Sequence, residues 1–318
     1  VEGFLRRLAG EPMSLAREAH LLFDIEPSAC DLAALEAART RLDSLLPGND
    51  TLSARLKKAR ARVEVPPERL SAVVNAVLGE ARRRTAALVP LPSGEHFEVA
   101  YVGGKPWGAY NWYKGDYQSL IEVNTDLPKT LDSVLGTLTH EGYPGHHVYN
   151  VLLESRLVHG KGWRELTVYP LYSPQSLIAE GTANVGIDVI MTKAEQEAFL
   201  RDVLAPIADI SPAEVGRYLD VRTAAEPLRY AGGEAARRLL EDGASEAEVE
   251  AFLVRFGTAP ERARQNIAFY RTYRSYIYTY TVGEDLVRAW LGDRPDRVVR
   301  FFDLLERPVV PSELVAIR

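Results

Sequence analysis

Cysteine is almost absent. Cys30 stands alone in 318 residues, which excludes an intrachain disulfide and any zinc cluster built from thiolates. Long apolar runs are missing too. No stretch approaches the ~18 consecutive apolar residues needed to cross a bilayer, so no membrane span is expected. Nor is there a basic excess. Lys and Arg number 38 against 44 Asp and Glu, a net charge of −6, and a chain with that balance is not expected to be a general nucleic-acid binder, because phosphate binding needs a basic face. There is no internal repeat and no low-complexity tract. What is present, 46% hydrophobic and 26% charged residues, is ordinary globular composition, sufficient for one large domain or two ordinary ones.

The fold class expected is mainly α, with a small β-sheet flanking a motif helix. Residues 1–90 read as an N-terminal helical region. Leu32, Leu35, Leu42, Leu45 and Leu46 follow the helical period behind Asp31 as N-cap, and Pro47-Gly48 ends the run. A second helix starts near Pro67 and carries Leu70, Val73, Val74, Val77 and Leu78. Its basic end, Arg82 to Arg84, reads as a solvated face. Residues 91–318 read as a second region. Within it, 96–102 (HFEVAYV) alternates like a strand and 118–125 (QSLIEVNT) reads as another, joined by an aromatic, glycine-rich loop over 103–117. Helical pattern resumes after Pro128, with starts at Ser211-Pro212 and Ala259-Pro260 and a capping box in Ser245 and Glu248.

Histidine is sparse, six in all, yet His140, His146 and His147 fall within the segment LTHEGYPGHHV (138–148). Neutral imidazole is the commonest metal ligand among side chains, and hydrolytic zinc is typically held by two histidines and a carboxylate. The familiar zinc-protease pattern sets two histidines at i and i+4 of one helix with a glutamate base between. Here position i+4 from His140 is Pro144. In an unbroken helix His147 would sit about 10.5 Å further along the axis and His146 would be turned roughly 120° away. Two ligands about 2.1 Å from one zinc cannot be so separated. The helix must therefore break, and Pro144 and Gly145 supply the break. So read, the motif is HExxH with two residues inserted: His140 and His146 are the ligands, His147 lies beside them, and Glu141 is the general base.

The third ligand expected is Glu180, in the apolar run SLIAEGTANVGIDVI (176–190). A carboxylate there is costly to bury alone. An arginine partner or a metal would compensate it, and the histidine cluster favours the metal. Asn184 and Asp188, one and two turns on, are placed to support the ligands. His20, His96 and His159 read as structural or surface residues.

HEGYPGHH followed by AEGTA (179–183) resembles the DUF885 family, gluzincin-like zinc metallopeptidases with an HExxPGHH motif and a later glutamate. The likeness runs from about Tyr101 to the C-terminus and includes Tyr280-Thr-Val-Gly283, although Ser275-Tyr276-Ile277 stands where the family has Pro-Gly-Gln. The resemblance implies a helical metallopeptidase-like architecture, zinc on His140, His146 and Glu180, and hydrolysis of peptide bonds with Glu141 as base. The partner implied is a peptide or small amide, bound in extended form along an edge strand, for which 118–125 is the candidate. It also singles out Tyr280, one of three tyrosines (273, 276, 280) at helical spacing, as a hydroxyl donor to the tetrahedral intermediate. Two other readings compete: a metal-dependent hydrolase of a small non-peptide ester or amide, and a non-catalytic protein with a structural or vestigial metal site.

Overall fold

Side-chain caps and prolines start the helices where the sequence puts them. Asp31 accepts from the Ala34 amide ahead of Leu32–Leu45. Ser245 and Glu248 form a reciprocal capping box, and Pro67, Pro212 and Pro260 each open a helix. The computed structural model describes residues 2–316 apart from Pro106. It is mainly helical, with one small sheet. Among the described residues no helix is long and apolar enough to cross a membrane.

The chain divides into two units, each made of two separate stretches. One comprises residues 1–63 and 213–282, the other 64–212 and 283–318. Sequence order is thus a poor guide to the division. The helix Pro67–Ala86, grouped above with residues 1–90, belongs to the unit that holds the histidine motif, because its apolar face packs on the motif helix.

In the first unit, Leu42, Leu52, Leu56 and Val221 form a buried cluster. The expected continuous tyrosine helix is interrupted there. Pro260–Tyr273 ends at Arg274, whose φ is +49°, and residues Arg274–Tyr280 continue as a 3-10 segment. Tyr273, Tyr276 and Tyr280 therefore do not share one α-helical face: Tyr276 is buried, whereas Tyr273 and Tyr280 are exposed. Buried Glu18 fixes this turn, accepting from Arg274 Nε at 2.6 Å and Ser275 Oγ at 2.8 Å.

In the second unit, α1 (Pro67–Ala86) packs on α2 (Leu131–Glu141), which also packs on α4 (Pro174–Ile190); α3 (His146–Leu153) continues from α2 after a break. The basic end of α1 is consumed in ion pairs: Arg82 with Glu95, Arg83 with Glu80, and Arg84 with Glu80 and Glu195. The sheet has strands β1 (His96–Val102), β2 (Ala109–Gly115) and β3 (Gln118–Asn124) in the order β1-β3-β2, with β1 parallel and β2 antiparallel to β3. Two expectations are corrected here. Residues 109–115 are a strand, not part of a loop, since Tyr110, Trp112 and Tyr113 suit a pleated, half-buried surface. And β3, expected at the edge, is central; β2 is the edge strand beside α2 and α3. The two-residue β2–β3 turn puts Asp116 and Tyr117 at φ +52° and +63°. Glu154 holds it by accepting from both backbone amides, at 3.1 and 3.2 Å, and from the Tyr113 hydroxyl.

Candidate metal centre

The break between α2 and α3 is as tight as backbone allows. Gly142 caps α2, the Tyr143–Pro144 peptide is cis, and α3 begins at His146. The Gly145 amide donates to the Thr139 carbonyl at 3.0 Å, reaching six residues back where a helix reaches four. A Cβ on Gly145 would lie 1.8 Å from the His140 carbonyl oxygen, so only glycine fits. Pro144 rests on α4 at Gly186, where a Cβ would meet its Cγ at 2.8 Å. The inserted residues are thus locked between the first ligand's own backbone and the helix that brings the third.

The result joins the expected triad. His140 and His146 stand edge to face, ring centroids 4.6 Å apart. His140 Nε2 lies 3.5 Å from one Glu180 oxygen and His146 Nε2 3.7 Å from the other. One ligand atom from each of the three falls within 4.8 Å of the rest. The two contacts are too long for good N–H···O bonds, which run about 2.7–3.2 Å. They match the edge of a tetrahedron, about 3.4 Å between ligands each 2.1 Å from the centre. The donor set fits a divalent cation of the zinc type. His140 Nδ1 and Asn184 Oδ1 are 3.0 Å apart, so Nδ1–H donates to the amide oxygen and Nε2 is left bare toward Glu180.

Electrostatics agree. Burial is the main force lowering the His140 pKa to about 4 and driving that of His146 well down, which keeps both rings neutral as ligands must be. Burial, with the Glu180 charge behind it, pushes Glu141 up to about 8; the Asn111 backbone amide pulls the other way. A cation among the ligands would cancel the Glu180 contribution.

His147 is not in this cluster. It is fully buried on the other side of α3, with Nδ1 2.8 Å from Ser119 Oγ and Nε2 2.9 Å from Glu95 Oε2. Tyr143 and Arg82 donate to the same carboxylate. Asp188 also falls outside the site, bound to Arg288 and Gln196. His159, read as a structural or surface residue, is exposed and pairs with Glu154. Tyr280 ends the 3-10 segment of the first unit, its ring edge-on to Tyr276.

Sequence reasoning missed two groups, Glu95 and Tyr169, and left a third, Asn111, between the lining of a cleft and a satellite core. Glu95 had no periodicity to mark it. Tyr169, in the irregular segment before α4, has its hydroxyl buried and sensing the Glu180 charge, although its ring is half-exposed. Asn111 donates from its side chain to the Glu141 carbonyl at 2.8 Å, tying β2 to the end of α2. Its place beside the site had one available signal, the aromatic run Tyr110-Asn111-Trp112-Tyr113.

No protein-family model matches the chain, and no curated protein does. Its fold is similar to a solved protein of Colwellia psychrerythraea described as a "putative lipoprotein", with a TM-score of 0.64 and 17% identity over 98% of this chain. The chain spans about half that protein, 53% of its length.

Proposed function

We propose that this protein is a zinc-dependent hydrolase of peptide bonds, akin to the DUF885 metallopeptidases that its HEGYPGHH segment resembles. The observation that carries the reading is the triad itself: two neutral imidazoles and a carboxylate converge, and a second carboxylate, Glu141, adjoins the first ligand. His140, His146 and Glu180 would hold the zinc. When bound, zinc acidifies water and polarises a carbonyl.

The chain's own residues do the rest. Glu141, buried beside the ligands, takes a proton from the attacking water and passes it to the departing amine. A positioned carboxylate acting in this way contributes about 10²–10⁴ in rate. The edge strand orients the substrate. In the antiparallel β2–β3 pair the Asn124 amide bonds the Gly108 carbonyl, so bonded and non-bonded pairs alternate from there. Ala109 and Tyr113 consequently turn their backbone groups to the free edge, while the Asn111 amide on that edge is engaged by Glu141. An extended peptide added there would pair with those groups. Developing negative charge needs an O–H or N–H donor. Two tyrosines are proposed: Tyr280, on the family resemblance, and Tyr169, on its hydroxyl's place near Glu180.

Glu141→Gln tests the reading. It should retain zinc by elemental analysis and keep its melting temperature, while hydrolysis of a quenched-fluorescent peptide library falls by about 10²–10⁴ or more. A variant with near-normal turnover would overturn the mechanism. Zinc binding with no hydrolysis of peptides or small amides by the wild type would leave a metal site without catalysis.

A further inference from the structure

Beside the triad, three large aromatic rings form one cluster. Tyr110 and Trp112, on the same face of β2, have centroids 4.6 Å apart, and Trp107 packs on both at 5.5 and 6.3 Å. Tyr110 and Trp112 are each 44% exposed, where apolar rings of this size are ordinarily covered. Asn111, between Tyr110 and Trp112 on β2, donates from its side chain to the Glu141 carbonyl at 2.8 Å, so the strand that carries the cluster is tied to the site.

The loop presenting Trp107 is held still. Buried Asn124 donates from its amide to both the Lys105 and Trp107 carbonyls, at 2.9 Å each. Lys129 Nζ donates to the Gly108 carbonyl at 2.9 Å, and Asp126 accepts the Gly104 amide at 2.6 Å. Three polar side chains thus hold the stretch that presents the partly buried Trp107 ring to Tyr110 and Trp112. The charges at its rim cancel: Lys105 and Glu122 pair at 3.8 Å, and Glu122 accepts from Trp112 Nε1 at 3.1 Å.

We infer that Trp107, Tyr110 and Trp112 form a preorganised subsite for a large, uncharged apolar or aromatic side chain of the substrate peptide. The inference rests on the peptide-hydrolase reading and deepens it. Geometry commits the occupant. Side chains of a strand paired with β2 alternate between the two sheet faces, and every second one lands beside its cross-strand neighbours Tyr110 and Trp112. Ring-on-ring contact there adds to the burial of apolar area. A charged side chain would have to shed water against rings with no net opposite charge at their rim.

The test measures binding separately from turnover. Peptides identical except for one residue (Phe, Leu, Ala, Glu or Lys) are titrated calorimetrically against zinc-loaded Glu141→Gln protein, and hydrolysed by the wild type. The Phe peptide is expected to bind and to be cleaved at least about tenfold better than the Ala peptide. In Trp112→Ala that preference should shrink to about twofold or less. Because Trp112 is half-exposed, its variant should fold, which circular dichroism melting checks; Trp112→Leu is the fallback and should keep the Leu preference while losing that for Phe. Equal affinity for Phe and Ala peptides with Trp112 in place, or equal loss for both in Trp112→Ala, would overturn the subsite. If Phe-selective binding appears without any hydrolysis by the wild type, the subsite stands and the peptidase reading fails. Selective binding of a ring-bearing sugar in place of the Phe peptide would refute the side-chain assignment.

Discussion

Gly145→Ala is the sharpest perturbation of the metal centre that touches no ligand. Its new methyl group would begin 1.8 Å from the His140 carbonyl oxygen, 2.4 Å from the His140 carbonyl carbon and 2.6 Å from the Thr139 oxygen. Ordinary contact starts near 3.4 Å, so the backbone must open by about 1.5 Å, against a tolerance of about 0.2 Å in metal–ligand distances. All three obstacles are backbone atoms, so no rotamer change relieves them. The opening separates His140 from His146, because Gly145 is the last residue before the second ligand. Structural zinc binding is worth about 10–16 kcal/mol in all, so displacing one ligand should weaken it by roughly 10²–10³. The overpacking itself costs about 1–3 kcal/mol of folding stability. Competition with a chromophoric chelator measures the first and thermal melting the second. Gly136→Ala is the control. It lies within the same helix, α2, with open space at its Cβ, and should raise stability by up to about 1 kcal/mol with zinc affinity unchanged. Zinc affinity of Gly145→Ala within threefold of wild type would refute the claim that this glycine sets the ligand geometry.

His147→Ala should keep one zinc per chain but lower stability by about 2–4 kcal/mol, since it empties a buried site and strips Ser119 and Glu95 of a partner; loss of the metal with an unchanged melt would make it a ligand after all. Burial favours the neutral form of Glu95, but hydrogen bonds from His147, Tyr143 and Arg82 outweigh it and hold its pKa at about 2. A depressed carboxyl contributes stability above its unfolded value, about 4.3, and loses it as pH falls toward 2. The gap in melting temperature between wild type and Glu95→Gln should therefore narrow over that window, and a gap that stays constant would contradict the assignment. Phenylalanine at Tyr169 or Tyr280 should lower kcat by roughly 10²–10³ in whichever supplies the hydroxyl, with little effect on melting; normal turnover in both would send the search to another donor.

The triad was legible because its chemistry is written in rare residues at odd spacing. Pro144 and Gly145 announced a helix break, and only a break could bring His140 to His146. Glu180 showed itself as a charge in an apolar helix. Asp31, Ser245, Pro67 and Pro260 likewise fix their helix starts through local bonds, visible in any short window. The failures all needed tertiary knowledge. Which strand lies at the edge depends on β1 pairing with β3 across an intervening strand, and periodicity carries no such information. The sequence sets His147 beside the ligands, but nothing local shows that Glu95 and Ser119, far off in sequence, claim it. The tyrosine run looked like one helix because nothing local reveals that Glu18 holds Arg274 in a left-handed turn.

The interleaving of the two units sets an order on how the molecule is made. His140, His146 and Glu180 lie on one continuous stretch, so the donors emerge from the ribosome close together. The residue that packs backbone to backbone on α4 beside them, Gly283, whose Cβ would meet the Leu177 carbonyl at 2.7 Å, arrives about a hundred residues later. At typical synthesis rates that is an interval of roughly 5–20 s. During it the ligand helix has no cover on that face, and the first 63 residues wait for residues 213–282 to complete their own core. Burial of that face of the helix therefore follows the synthesis of His140, His146 and Glu180 instead of accompanying it.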